Sequence, residues 1–126
     1  MITVVIKPSG TPPYTKRIPN TLRALQEEVK GYIEYINSPI KDVDIIMNDE
    51  GKLNGLPPNF YIGWGEYRDL IAGTAVFAAI NNETGEYIDM TLKQEKAVYQ
   101  YLQDVDLASG TEKTQDFCRF KIFPMI

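Results

Sequence analysis

The chain has 126 residues, 44% hydrophobic and 24% charged, with a net charge of −4. That suits one domain with an ordinary core, and no stripe of basic residues is present to hold nucleic acid. With no histidine and one cysteine, Cys118, an internal disulfide, a His-activated nucleophile and the usual zinc ligand sets are excluded.

Ile2–Ile6 is β-branched and ends at Lys7-Pro8-Ser9-Gly10, which predicts a first strand. Tyr14–Ile18 alternates and should hairpin back onto it. Asn20 or Thr21 then caps a helix whose apolar positions are Leu22, Leu25 and Val29. Gly31 is expected at its C-terminal cap. Tyr32–Ile36 and Val43–Met47 read as strands. Asn48-Asp49-Glu50-Gly51-Lys52 and Asn54-Gly55 are turn-formers, and Leu56-Pro57-Pro58-Asn59 is a restricted loop.

Phe60–Leu70 has no clean period and is expected to be a loop. Ile71–Ile80 is the most apolar stretch and the candidate central strand. Asn81–Gly85 turns the chain into a returning strand over Glu86–Met90. Thr91 and Gln94 have the spacing of a capping box, opening a second helix that runs to about Asp104, with Leu92, Val98, Tyr101, Leu102 and Val105 on its apolar side. Phe117–Phe123 alternates around Arg119 and Lys121 and predicts a last strand. The expected class is α+β: a mixed or mainly antiparallel sheet with two helices, in a single domain spanning 1–126.

Residues 1–63 hold seven basic and seven acidic side chains, whereas 64–126 hold six and ten. The mild acidity serves solubility. Met1–Ile6 lacks the basic lead of a signal peptide, and the apolar run around Ala75–Ile80 is far short of the ~20 residues that cross a bilayer. A cytoplasmic setting without membrane contact is expected.

Three blocks, Leu25–Glu34, Met47–Asn59 and Asp69–Phe77, together with the helix opening at Met90–Glu95, resemble in order and spacing the family called domain of unknown function 3846. The resemblance covers about residues 1–102 and leaves 103–126 as a C-terminal extension. It implies a bacterial, phage or mobile-element origin. It carries no reaction and no catalytic residues. The family often has a basic residue after Pro58-Asn59, and here that position is Phe60.

Several clusters invite chemistry. Asp42/Asp44 and Asp104/Asp106 lack the alternating ligands and sixth-position glycine of a calcium loop, so they read as solvated acids and no metal is expected. Gly63-Trp64-Gly65 lacks the third glycine and the helix of a dinucleotide fingerprint, and no cofactor is expected. Nothing in the spacing of Glu34, Glu66 and Asp69 brings two carboxylates to one cleft, so no enzyme is expected. The Asn48–Lys52 cluster reads as turn-making, with a ligand-binding loop as its functional alternative.

The strongest candidate surface is aromatic: Phe60, Tyr61, Trp64 and Tyr67 on a glycine-flanked loop, with Asn59 before them and Arg68 after them. Such a loop anchors a partner protein or stacks a base. The expected function is therefore a non-enzymatic interaction factor that engages a host or element-encoded protein. The alternative is a binder of a nucleotide-like molecule, with Arg68 on its phosphate. Unpaired edges on the first and last strands would also permit a homodimer.

Overall fold

The structure, a computed structural model, describes residues 1–64 and 67–105. The elements are β1 (Ile2–Lys7), β2 (Tyr14–Ile18), α1 (Leu22–Val29), β3 (Ile33–Asn37), β4 (Val43–Asn48), β5 (Pro58–Trp64), β6 (Tyr67–Ala72), β7 (Ala75–Asn81), β8 (Glu86–Ile88) and α2 (Leu92–Asp104). The main sheet has the order β2-β1-β7-β4-β3, with β8 also on β7, and β5-β6 form a separate two-stranded sheet. All described pairings are antiparallel. The class is α+β, as expected.

The main sheet is covered on both faces, which explains why its central strands are apolar rather than alternating. Along β4, Val43, Ile45 and Met47 enter one core and Ile46 the other. The first core is closed by Phe60, Ile62 and Ile71 of the β5-β6 hairpin and by Val98 and Leu102 of α2. The second is closed by Ala24, Leu25 and Val29 of α1. The molecule thus has three layers: α1, the main sheet, and α2 beside the hairpin.

The helix entries follow the sequence. The Thr21 side chain accepts from the Ala24 amide, and Thr91 and Gln94 form the complete capping box of α2. The exit of α1 differs from expectation. Lys30, not Gly31, takes the left-handed conformation, at φ 64°. The glycine answers a different constraint: a Cβ on Gly31 would lie 2.6 Å from Asn48 Nδ2. That amide donates to the carbonyls of Val29 (3.1 Å) and Lys30 (3.2 Å) and so satisfies the end of α1 from the neighbouring strand.

Four further expectations are corrected. Within the stretch expected as a loop, Phe60–Trp64 and Tyr67–Leu70 are paired strands, because their inward residues cap a core. The apolar run 71–80 is divided at Gly73, whose φ of 82° turns the chain between β6 and β7. The first strand is interior, paired to both β2 and β7, so the described edges of the main path are β2 and β3. Leu22 and Leu92, placed on apolar helix faces by spacing, are exposed. The strand expected over Phe117–Phe123 lies outside the described residues.

The Gly31–Asn48 contact yields a measurable coupling. Gly31→Ala should cost about 1–3 kcal/mol in urea unfolding, as overpacking does. In an Asn48→Ala background the same change should cost clearly less, because the obstructing amide is gone. Equal costs in both backgrounds would reject this reading.

Candidate functional site

The β5-β6 hairpin is fastened to the main sheet by a buried polar bracket. Asn59 is fully buried. Its amide nitrogen donates to the carbonyls of Lys7 and Gly73, each at 2.8 Å, and its Oδ1 accepts from Lys7 Nζ at 3.0 Å. Lys7 Nζ also donates to the Pro8 carbonyl at 2.6 Å. The end of β1, the start of β5 and the β6-β7 turn therefore meet at one side-chain amide. Beside it the Gly73 amide donates to the Pro57 carbonyl at 2.7 Å. A Cβ on Gly73 would meet Leu56 at 2.9 Å. Leu56-Pro57-Pro58-Asn59 is thus the neck of the hairpin. Lys7 is 4% exposed, and burial pulls its ammonium down to about 8.

The bracket stands the hairpin against β3 and β4 and leaves a cleft of about 340 Å³ between them. Ile36, Met47, Ile62 and Ile71 form an apolar floor, and Glu34, Asp49, Glu50, Lys52 and Asp69 also line the cleft. The turn after β4 forms its end. Asn48 Oδ1 accepts from the Glu50 amide at 2.8 Å, and the Gly51 carbonyl accepts from the Leu56 amide at 3.0 Å. Gly51 is buried, and a Cβ there would lie 2.8 Å from the Ala72 carbonyl oxygen. Lys52 Nζ and Asp69 Oδ1 pair at 2.7 Å. The pair is substantially exposed, so its contribution to stability is small. Four carboxylates against one ammonium make the cleft electronegative.

The residues of the expected aromatic surface are dispersed. Phe60, expected on an exposed loop, is completely buried and stacks on Phe77 with ring centroids 6.2 Å apart. It is inward because β5 covers the first core. Asn59 belongs to the bracket, with its amide engaged by the protein itself. Tyr61 is half-buried, next to Phe60 and therefore on the opposite face of the strand. Trp64 pairs with Tyr67, and Gly63 with Arg68, at the far end of the hairpin. The side chains of Trp64, Tyr67 and Arg68 lie outside what is described. Glu34 and Asp69, far apart in sequence, do line one cleft. Asn48–Lys52 is both the turn and a wall of that cleft.

A second buried group has no sequence signal. Asp44 is 2% exposed and accepts from the Tyr87 hydroxyl at 3.1 Å. Burial raises its carboxyl above the usual range, and the Tyr87 bond opposes this. Asp42, at φ 60°, instead sits in a turn and accepts from Asn82 at 2.6 Å. The two acids do not converge, and no cluster suited to a metal ion occurs among the described residues. No helix among the described residues is long and apolar enough to cross a membrane.

The family model for DUF3846, a domain of unknown function, matches residues 1–105. The chain belongs to this family. No curated protein and no solved structure matches it. The matched region ends with α2, so the hairpin neck, the cleft and both helices all lie inside the DUF3846 domain.

Lys7 makes the bracket pH-dependent. Its pKa is depressed in the folded state, so the unfolded chain binds the proton more tightly between about 8 and the ordinary value of 10.5. Stability attributable to Lys7 should therefore rise as pH increases through that window. Urea unfolding of the wild type and Lys7→Met at pH values spanning this window should show the wild type gaining on the variant. A difference independent of pH would contradict it.

Proposed function

We propose that this DUF3846 protein is a non-enzymatic interaction module that receives a basic, extended segment of a partner protein in the cleft beside β3. The observation that carries the proposal is the cleft's combination of apolar floor and carboxylate-rich lining. Lys and Arg side chains match it, because their stems are apolar and their heads are charged. The adjoining strand β3 is at an edge of the main sheet among the described residues, and such an edge offers an extended segment main-chain hydrogen bonds. The resemblance implies a setting in bacteria, their phages or other mobile elements. There the partner would be a host or element-encoded protein, such as a defence component, met in the cytoplasm.

The nucleotide-like alternative has less support. Phe60 offers no face to a base, and Asn59 has both amide hydrogens engaged within the protein.

Selection of random displayed peptides against the purified protein tests the proposal. Enriched sequences should be extended, with Lys or Arg flanked by apolar residues. Their binding should weaken in high salt. Glu34→Lys combined with Asp49→Lys should reduce affinity at least about tenfold, the scale of removing complementary charge. Enrichment of acidic or uncharged sequences, or indifference to the two substitutions, would overturn it.

A further inference from the structure

A second cavity, of about 470 Å³, shares no lining residue with the acidic cleft. It lies between the loop that joins β3 to β4 and the start of α2. Pro39, Ile40 and Ala97 give it apolar walls, while Lys41 borders it on the loop and Lys93 on the helix. The loop wall is fixed by its own hydrogen bonds. Ser38 Oγ accepts from the Ile40 amide at 3.0 Å, and the Ile40 carbonyl accepts from the Val43 amide at 3.2 Å. The Asp42 carbonyl accepts from the Ile80 amide at 2.9 Å. Gln94 Nε2 ties the helix to this loop by donating to the Lys41 carbonyl at 3.3 Å. Ile40 packs against the first core. The cavity is therefore formed before anything enters it, as small-molecule sites usually are.

Its charge is the reverse of the cleft's. Neither Lys41 nor Lys93 forms an ion pair among the described residues. The neighbouring acids are engaged elsewhere. Asp42, which also borders the cavity, accepts from Asn82 on the β7-β8 turn at 2.6 Å, and Glu95 accepts from Thr15 of β2 at 2.6 Å. Lys93 also stands in the first turn of α2, the end of a helix where a cation is least favourable. The amides of Thr91 and Gln94 are already satisfied by the capping box. An anion in the cavity would therefore meet the two ammonium groups rather than the helix end.

We propose that this cavity binds a small amphipathic anion, a carboxylate or phosphate held by Lys41 and Lys93 with its apolar body against Pro39, Ile40 and Ala97. The helix wall limits the size of the ligand. Lys93 to Ala97 spans about 6 Å of the helix axis, too short to seat an extended peptide several residues long. The volume lies within the range of small-molecule sites, about 300–1,000 Å³. Lysine suits either head group, because its ammonium acts as a point charge and not as a planar fork. The site and its ligand are independent of the basic segment proposed for the acidic cleft.

Titration of the full chain with octanoate and with octyl phosphate, followed by amide NMR, tests the proposal. Shifts should concentrate at residues 38–42 and 91–97, with a Kd on the order of millimolar or below, and the tighter of the two probes identifies the head group. Octanol, which lacks the charge, should bind at least about tenfold more weakly than either, and binding of the anions should weaken in high salt. Lys41→Glu combined with Lys93→Glu should lower affinity at least about tenfold, whereas Lys41→Arg combined with Lys93→Arg should keep it. The same spectra show whether each variant is folded. Absent or scattered shifts, octanol bound as well as the anions, or wild-type affinity in the Glu variant would overturn the proposal. So would equal loss in the Glu and Arg variants, which would assign the effect to packing and not to charge.

Discussion

The arrangement depends on one side-chain amide. Asn59 satisfies two carbonyls and receives the Lys7 ammonium in a site closed to solvent. Such a group is costly to bury alone and costly to leave half-satisfied. It therefore specifies position: the hairpin neck fits where all three partners are present at once. A two-stranded hairpin has little stability of its own. Held by this bracket and by Phe60 on Phe77, β5-β6 becomes a wall, and the space it leaves against β3 and β4 becomes the cleft.

Asn48 is a second fixed point, at the turn that lines the cleft. One oxygen shapes the turn that carries Asp49 and Glu50, and its nitrogen closes the last turn of α1. The helix on one face of the sheet and the acidic wall on the other are thus connected through one residue. Gly31 and Gly51 are small where backbone and amide approach too closely for a side chain. The polar, glycine-rich cluster after β4 is fully used in making a turn, and the turn in making a surface.

Much of this was legible in the residues. β-branched runs marked β1 and β4, and Thr91 with Gln94 marked the entry of α2, because local chemistry alone decides them. One of the blocks that carried the family likeness, Met47–Asn59, is the turn and neck that build the cleft. What local pattern could not show is pairing at long range. Phe60, Ile62 and Ile71 do alternate or punctuate as hairpin strands should, but the aromatic and glycine content of the hairpin masked the period. Asn59 was singled out for the wrong role: an Asn after two prolines resembles a loop residue until its partners at Lys7 and Gly73 are seen. Glu34 and Asp69 meet only through the packing of two sheets, which no spacing rule encodes. Asp44 looked like a solvated acid because the strand's burial on both faces is a tertiary fact.

The most direct test of this account is amide hydrogen exchange on Asn59→Ala. Loss of a buried hydrogen-bond partner costs about 1–3 kcal/mol, and here that loss should fall on the hairpin. The account predicts that the amides of β5 and β6 lose at least about tenfold more protection than those of β1, β4 and β7, as a locally opening unit does. Uniform loss across the hairpin and the main sheet, or a hairpin as protected as in the wild type, would contradict the claim that the Asn59 bracket holds the wall of the cleft.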